Sequence, residues 1–201
     1  MYIETGKDRV IMKRVFALAI ILVTMMISAC GKAEESHEAA SEIASTVPAF
    51  AVTSSSVNEK GMLKTKCAAV VAAPKGDNLV PNIRWDKVDG ASSYAVYIYD
   101  IDAMEFIHLK LVGYNKTEID EGAFNDEHLY IGPCPPSGTH HYQITVYALK
   151  EDVLMADGEV GKSADIAKIE ASLDKTSDGS NGNIVAVGVK EFSVKYNERV
   201  D

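Results

Sequence analysis

The chain has 201 residues, 47% of them apolar and 24% charged, and a formal net charge of −9. An acidic chain is repelled at long range by nucleic acid and by anionic lipid surfaces, so neither is expected as a general partner.

Near the start, Lys13 and Arg14 precede an apolar run, Val15 to Ile27, that ends in Ile27-Ser28-Ala29-Cys30. That run is shorter than the roughly 20 residues a helix needs to span a bilayer. A basic flank, a short apolar core and small residues directly before a cysteine together have the order of a lipoprotein signal peptide, against the plainer alternative of a short buried helix. Residues 1–29 are therefore expected to be removed and Cys30 to become the lipidated N-terminus, which places the protein on the extracytoplasmic face of the cell membrane. Met12-Lys13-Arg14 would itself begin an ordinary signal sequence. Removal of residues 1–29 takes away four cations and two anions, so the mature chain falls from −9 to −11. Attachment to the membrane must then come from the lipid.

Gly31 to Pro48 is rich in Ala, Glu and Ser and has no aromatic residue, which reads as a tether occupying residues 30–49. The remainder, residues 50–201, is long enough for one domain with a sizeable core. Phe50 to Ser55 and Met62 to Val71 read as early strands around a turn at Asn58-Glu59-Lys60-Gly61. Ser93 to Tyr99 is a stronger strand: Tyr94, Val96 and Ile98 share one side, Ala95, Tyr97 and Tyr99 the other, so both faces should be covered. Phe106 to Val112, His141 to Leu149 and Ile184 to Val194 complete the β pattern. The one convincing helix is Ser163 to Leu173, where Ile166, Ile169 and Leu173 recur at helical spacing behind a Ser163/Asp165 start. Many strands with one late helix make the expected fold mainly β, a β-sandwich of antiparallel sheets.

The densest conformational signal is Gly132-Pro133-Cys134-Pro135-Pro136-Ser137-Gly138-Thr139-His140-His141-Tyr142. Three prolines fix φ and remove backbone donors, and two glycines reach conformations closed to other residues, so the segment should hold one shape before any ligand arrives. His140 and Tyr142 follow at a spacing of two, which puts both side chains on one face of the next strand. A rigid loop beside an imidazole and a phenol reads as a pocket wall.

This block resembles the signature of the phosphatidylethanolamine-binding protein family, which includes the Raf kinase inhibitor proteins, and above all its bacterial branch. Asp100-Ile101-Asp102-Ala103-Met104 resembles the family's Asp-Pro-Asp-Ala-Pro segment, and Phe106-Ile107-His108 the strand that supplies its other pocket histidine. Asn82-Ile83-Arg84-Trp85 and Tyr147-Ala148-Leu149 are similar to two further family segments. The resemblance implies a β-sandwich whose pocket residues are Asp100, Asp102, His108, Pro133, His140 and Tyr142, with a small phosphorylated or carboxylated anion as ligand. Such groups suit an anion, because imidazole and phenol donate to oxyanions, and carboxylates orient imidazoles or accept from a ligand ammonium. Read alone, Asp100 and Asp102 are ordinary turn residues and His108 a satisfied core histidine. His141 stands where the family usually has arginine and, by alternation, should face away from the pocket pair.

After lipidation of Cys30 only Cys67 and Cys134 remain, in a chain that leaves the reducing cytosol. Bacterial relatives carry cysteine at both matching motifs, so the resemblance makes this pair a possible disulfide. Ser137 lies between Pro136 and Gly138 with no nucleophile elbow around it, so no enzyme activity is expected, and no cofactor. The separations of Asp100, His108 and His140 match no standard zinc or calcium spacing, so no metal is expected either. Besides anion binding, a second expected class is a protein-binding regulator or inhibitor of an extracytoplasmic protease or signalling protein, since some family members inhibit kinases or proteases.

Overall fold

The computed structural model describes residues 43–124, 126–153 and 155–201. The signal segment, Cys30 and most of the expected tether lie outside the described residues. Among the described residues there are seven strands, β1 (Ala49–Thr53), β2 (Ile83–Trp85), β3 (Ser93–Asp100), β4 (Phe106–Tyr114), β5 (Glu118–Ile119), β6 (Thr139–Leu149) and β7 (Ile184–Lys195), and one α-helix, α1 (Ile166–Leu173). They form one hydrogen-bonded series in the order β4-β3-β6-β7-β1-β2-β5. The fold is mainly β as expected, and the sheet is curled. β1 makes the turn, pairing parallel with β7 through Ala49 to Ala51 and antiparallel with β2 through Val52 and Thr53.

The alternation in β3 explains the two cores. Tyr94, Val96 and Ile98 join Ile83, Trp85, Ile119, Tyr142, Ile144 and Val146 in the core enclosed by the curl. Ala95, Tyr97 and Tyr99 face the other way and pack with Tyr147, Leu149, Ile169 and Leu173 beneath α1. Every residue of β3 is buried, because a strand flanked by β4 and β6 and covered on both faces has nowhere polar to turn. α1 begins at Asp165, whose carboxylate accepts from the Lys168 amide, and buries Ile169 and Leu173.

Two boundaries differ from the sequence reading. Met62 to Val71 is not a strand: Met62 and Leu63 make isolated bridges only, Thr65–Cys67 is a single 3-10 turn, and Val70 and Val71 are exposed. Its apolar residues are instead used to seat a loop, because the Ala69 amide donates to the Pro133 carbonyl at 3.1 Å and the Cys67 carbonyl accepts from the Tyr130 hydroxyl at 2.7 Å. The end of the expected tether also belongs to the domain. Ile43, Ala44 and Val47 pack against the second core, the Ile43 amide donates to buried Glu170, and the Pro48 carbonyl accepts from Val187 of β7. No helix among the described residues is long and apolar enough to cross a membrane.

Candidate functional site

The site lies where β3, β4 and β6 end together. Antiparallel pairing sets Asp100, the last residue of β3, opposite Tyr142 of β6 and Phe106 of β4. His140 is two residues from Tyr142 on the same face, and its Nδ1 lies 2.8 Å from Asp100 Oδ2. The other carboxylate oxygen of Asp100 accepts from the Asp102 amide at 3.1 Å, capping the 3-10 turn Ile101–Ala103. Asp100 thus fixes both the chain leaving β3 and the imidazole arriving on β6.

His108 reaches the site through a β-bulge. In β4, Leu109 pairs with Ile98 and Ile107 with Tyr99, so His108 is the extra residue between two successive pairs. A bulge of this kind re-aims a side chain. The His108 ring stands edge-on to Tyr142 with centroids 5.4 Å apart, next to Leu109 in the first core rather than opposed to it. Its Nδ1 is 2.7 Å from the Ile131 carbonyl, while its own carbonyl accepts from the Ile131 amide at 2.8 Å. The rigid loop is therefore tied to the histidine at both backbone and ring.

The loop itself is seated by close approach. Gly132 donates to Asn78 Oδ1 at 2.7 Å, and a Cβ on Gly132 would lie 2.5 Å from the Ala69 nitrogen and 2.7 Å from the Cys67 oxygen. Only glycine fits there. Pro133 and Pro135 are buried, whereas Cys134, Pro136, Ser137 and Gly138 stand in solvent. Cys67 and Cys134 are both free thiols, the first buried and the second exposed, so the possible disulfide is not formed. The backbone bond from Ala69 to Pro133 braces the loop in its place. Burial, reinforced by the Glu121 carboxylate, pushes the Cys67 thiol up to about 12.

The floor of the site is nearly closed: Asp100 is 4% exposed, His108 5% and Tyr142 1%, while the His140 side chain is 18% exposed. Burial, opposed in part by the Ile131 carbonyl and by Asp100, holds the His108 imidazole below its ordinary range. Burial and then the Asp100 carboxylate push the Tyr142 phenol well up, so it keeps its proton. Its ring stacks on Phe192 at 5.1 Å, and its hydroxyl is buried with no hydrogen-bond partner of good geometry.

Of the six residues expected from sequence, the structure brings Asp100, His108, His140 and Tyr142 together, with Pro133 in the loop beside them. Asp102 points elsewhere. One of its oxygens accepts from the His141 amide at 2.7 Å and lies 2.8 Å from His141 Nδ1. Burial alone would raise the Asp102 carboxyl, but the His141 amide and ring outweigh it and hold it below the usual carboxylate range. His141, expected to face away from the pocket, is thus the residue that anchors Asp102. Alternation gave its face correctly, but the 3-10 turn that carries Asp102 round to that side has no periodic signal. Among the described residues no group of three or more His, Cys, Asp and Glu could hold a metal ion.

A family model described as phosphatidylethanolamine-binding protein matches residues 53–185. The chain belongs to the phosphatidylethanolamine-binding protein family. It is 28% identical over 114 residues to the Mycobacterium tuberculosis protein named "Putative lipoprotein LppC", the match covering 49% of this chain and 57% of that one. This chain therefore spans little more than half the length of that relative. It is 34% identical over 112 residues to a UPF0098 protein of Methanothermobacter thermautotrophicus, covering 40% of this chain and 74% of the other. With UPF0098 protein YbcL of Escherichia coli it shares 30% over 134 residues, covering 54% and 73%. The crystal structure of YbcL superposes with a TM-score of 0.57 at 23% identity, covering 73% of this chain and 98% of that one, and bears out the fold.

Proposed function

We propose that the protein is a lipid-anchored extracytoplasmic binding protein that holds a small anion, phosphate or a phospho-headgroup, at Asp100, His108, His140 and Tyr142. The observation that carries this reading is the convergence of two imidazoles and a buried phenol at one strand end. Each ring has its Nδ1 pinned by a protein oxygen, which leaves its other nitrogen for a ligand. Anchoring through Cys30 is supported by the order of basic flank, apolar run and small residues before that cysteine, and by likeness to a relative named as a lipoprotein. On this reading the protein acts by binding rather than by turnover.

Calorimetric titration of the purified protein with phosphate, acetate and phosphoethanolamine tests the reading. Saturable binding of at least one, weakened in both His108→Ala and His140→Ala and unchanged in His128→Ala, is expected. Failure of all three ligands to bind would leave a protein-binding role as the better account.

A further inference from the structure

The face of the sheet opposite the anion pocket carries a second polar arrangement. Alternation puts His141 on this face, and the register of β6 against β7 sets Ser193 directly opposite it. The Ser193 amide donates to Gly61 and its carbonyl accepts from the Leu63 amide, both on the side away from β6. His141 and Ser193 are therefore a non-hydrogen-bonded pair, the closer of the two kinds, with Cα atoms about 4.5 Å apart and Cβ atoms within about 5.5 Å. On the other flank of β6, one Asp102 oxygen accepts from the His141 amide at 2.7 Å and lies 2.8 Å from His141 Nδ1. A carboxylate has no hydrogen to give, so Nδ1 carries the proton. In the neutral ring Nε2 is then a lone-pair acceptor, on the side of the ring away from Asp102 where Ser193 stands. The Ser193 hydroxyl is not held by any hydrogen bond among the described residues. Acid, imidazole and hydroxyl thus lie in a row across the turn after β3, β6 and β7. An open concavity of about 560 Å³ adjoins the row, lined by His141, Ser193, Lys60, Lys190, Glu191 and exposed Val189.

We propose that Ser193 is a nucleophile for acyl transfer from a short-chain carboxylic ester, with His141 as its general base and Asp102 as the residue that positions the imidazole. Such a constellation is defined by geometry and roles and not by order in the chain. The arginine usual at position 141 in relatives could not take up a proton, whereas histidine can. Ser193 Oγ attacks the ester carbonyl carbon while its proton passes to His141 Nε2, and the carbonyl π pair moves onto oxygen. Collapse of that oxyanion breaks the bond to the alcohol, which leaves with the proton from Nε2. Water, giving a proton to Nε2 in the same way, then cleaves the seryl ester, releasing the acid and returning the proton to Oγ. Two lysines against one glutamate line the concavity and favour the developing oxyanion, and Val189 offers apolar surface to the acyl chain. No hydrogen bond joins Ser193 to His141 in the ligand-free protein, a looseness common to such pairs before substrate draws them together.

Incubation of the purified protein with a fluorophosphonate, which phosphonylates activated hydroxyls, followed by intact-mass measurement and peptide mapping, reads the nucleophile directly. One adduct, at Ser193, is expected. Its rate of formation should fall roughly a hundredfold in His141→Ala and in Asp102→Asn, the size of a positioned general base's contribution. Release of p-nitrophenolate from p-nitrophenyl acetate should exceed that in buffer, be lost in Ser193→Ala and be unchanged in His128→Ala. Nitrogen NMR at pH 8.5 is an independent reading that needs no variant: the neutral His141 ring should carry its proton on Nδ1. No adduct, or adducts on lysine, tyrosine or Cys134 alone, overturn the inference. So do an adduct at Ser193 whose rate ignores either substitution, ester turnover undiminished in Ser193→Ala, and a His141 proton on Nε2.

Discussion

The 2.8 Å contact between His140 Nδ1 and Asp100 Oδ2 joins the last residue of β3 to the second residue of β6 across a hydrogen-bonded pair of strands. It turns sheet register into site geometry: a one-residue slip of β6 against β3 would carry the imidazole to the other face. Asp100→Asn keeps an oxygen for the Asp102 amide but removes the carboxylate that orients the His140 ring. The variant is expected to fold and to bind phosphate about tenfold more weakly at pH 7, a loss of roughly 1.4 kcal/mol. Circular dichroism and calorimetry together check both halves.

Tyr142→Phe separates stability from binding. The hydroxyl is buried beside Asp100 with no hydrogen bond of good geometry, so removing it should cost little and leave unfolding free energy within about 1 kcal/mol of the parent. If the hydroxyl donates to the bound anion, affinity should fall by roughly 1 to 3 kcal/mol. A variant destabilised by much more than that, with binding intact, would make Tyr142 a purely structural residue.

Acid should destabilise the domain first through His108. Its folded pKa lies below the unfolded value of about 6.5, so the unfolded chain binds more protons in the window between the two. Stability is then full above about pH 6.5 and declines as pH falls through that window. Asp102 has a lowered carboxyl pKa, so its contribution is present above its unfolded value and is lost only at lower pH, below about 4. Urea midpoints measured from pH 7.5 to pH 5 should fall for the parent, and His108→Gln should flatten that slope.

Much of this was legible in the chain. The apolar pattern on both sides of Tyr94 to Tyr99 gave a strand covered on both faces, and the spacing of His140 and Tyr142 gave a shared face, because both follow from a period of two. His108 was legible only through the family resemblance. Strict alternation cannot show a bulge, and without the bulge His108 would oppose Leu109 instead of joining it. Met62 to Val71 misled for a related reason: its apolar residues satisfy a loop seat at Gly132 and Pro133, a tertiary demand with no local signal. The docking of Ile43 and Val47 was hidden because a few apolar residues in a polar run look like a tether until the groove beneath α1 is known.

The two thiols should behave differently. Cys134 is exposed and should react promptly with a thiol reagent in native protein, whereas Cys67, fully buried and with its thiol pushed up to about 12, should react only on unfolding. Counting thiols under native and denaturing, non-reducing conditions checks this. No thiol released at either stage would mean that the pair is oxidised in solution and that the loop is braced covalently.

The central claim is that Asp100, His108, His140 and Tyr142 form one anion site, and a phosphate titration followed by amide and imidazole chemical shifts tests it most directly. The account predicts saturable shifts at these four residues and in the Pro133 to Gly138 loop, all with one dissociation constant, and their loss in His140→Ala. Shifts that never saturate, or that cluster away from the ends of β3, β4 and β6, would contradict it.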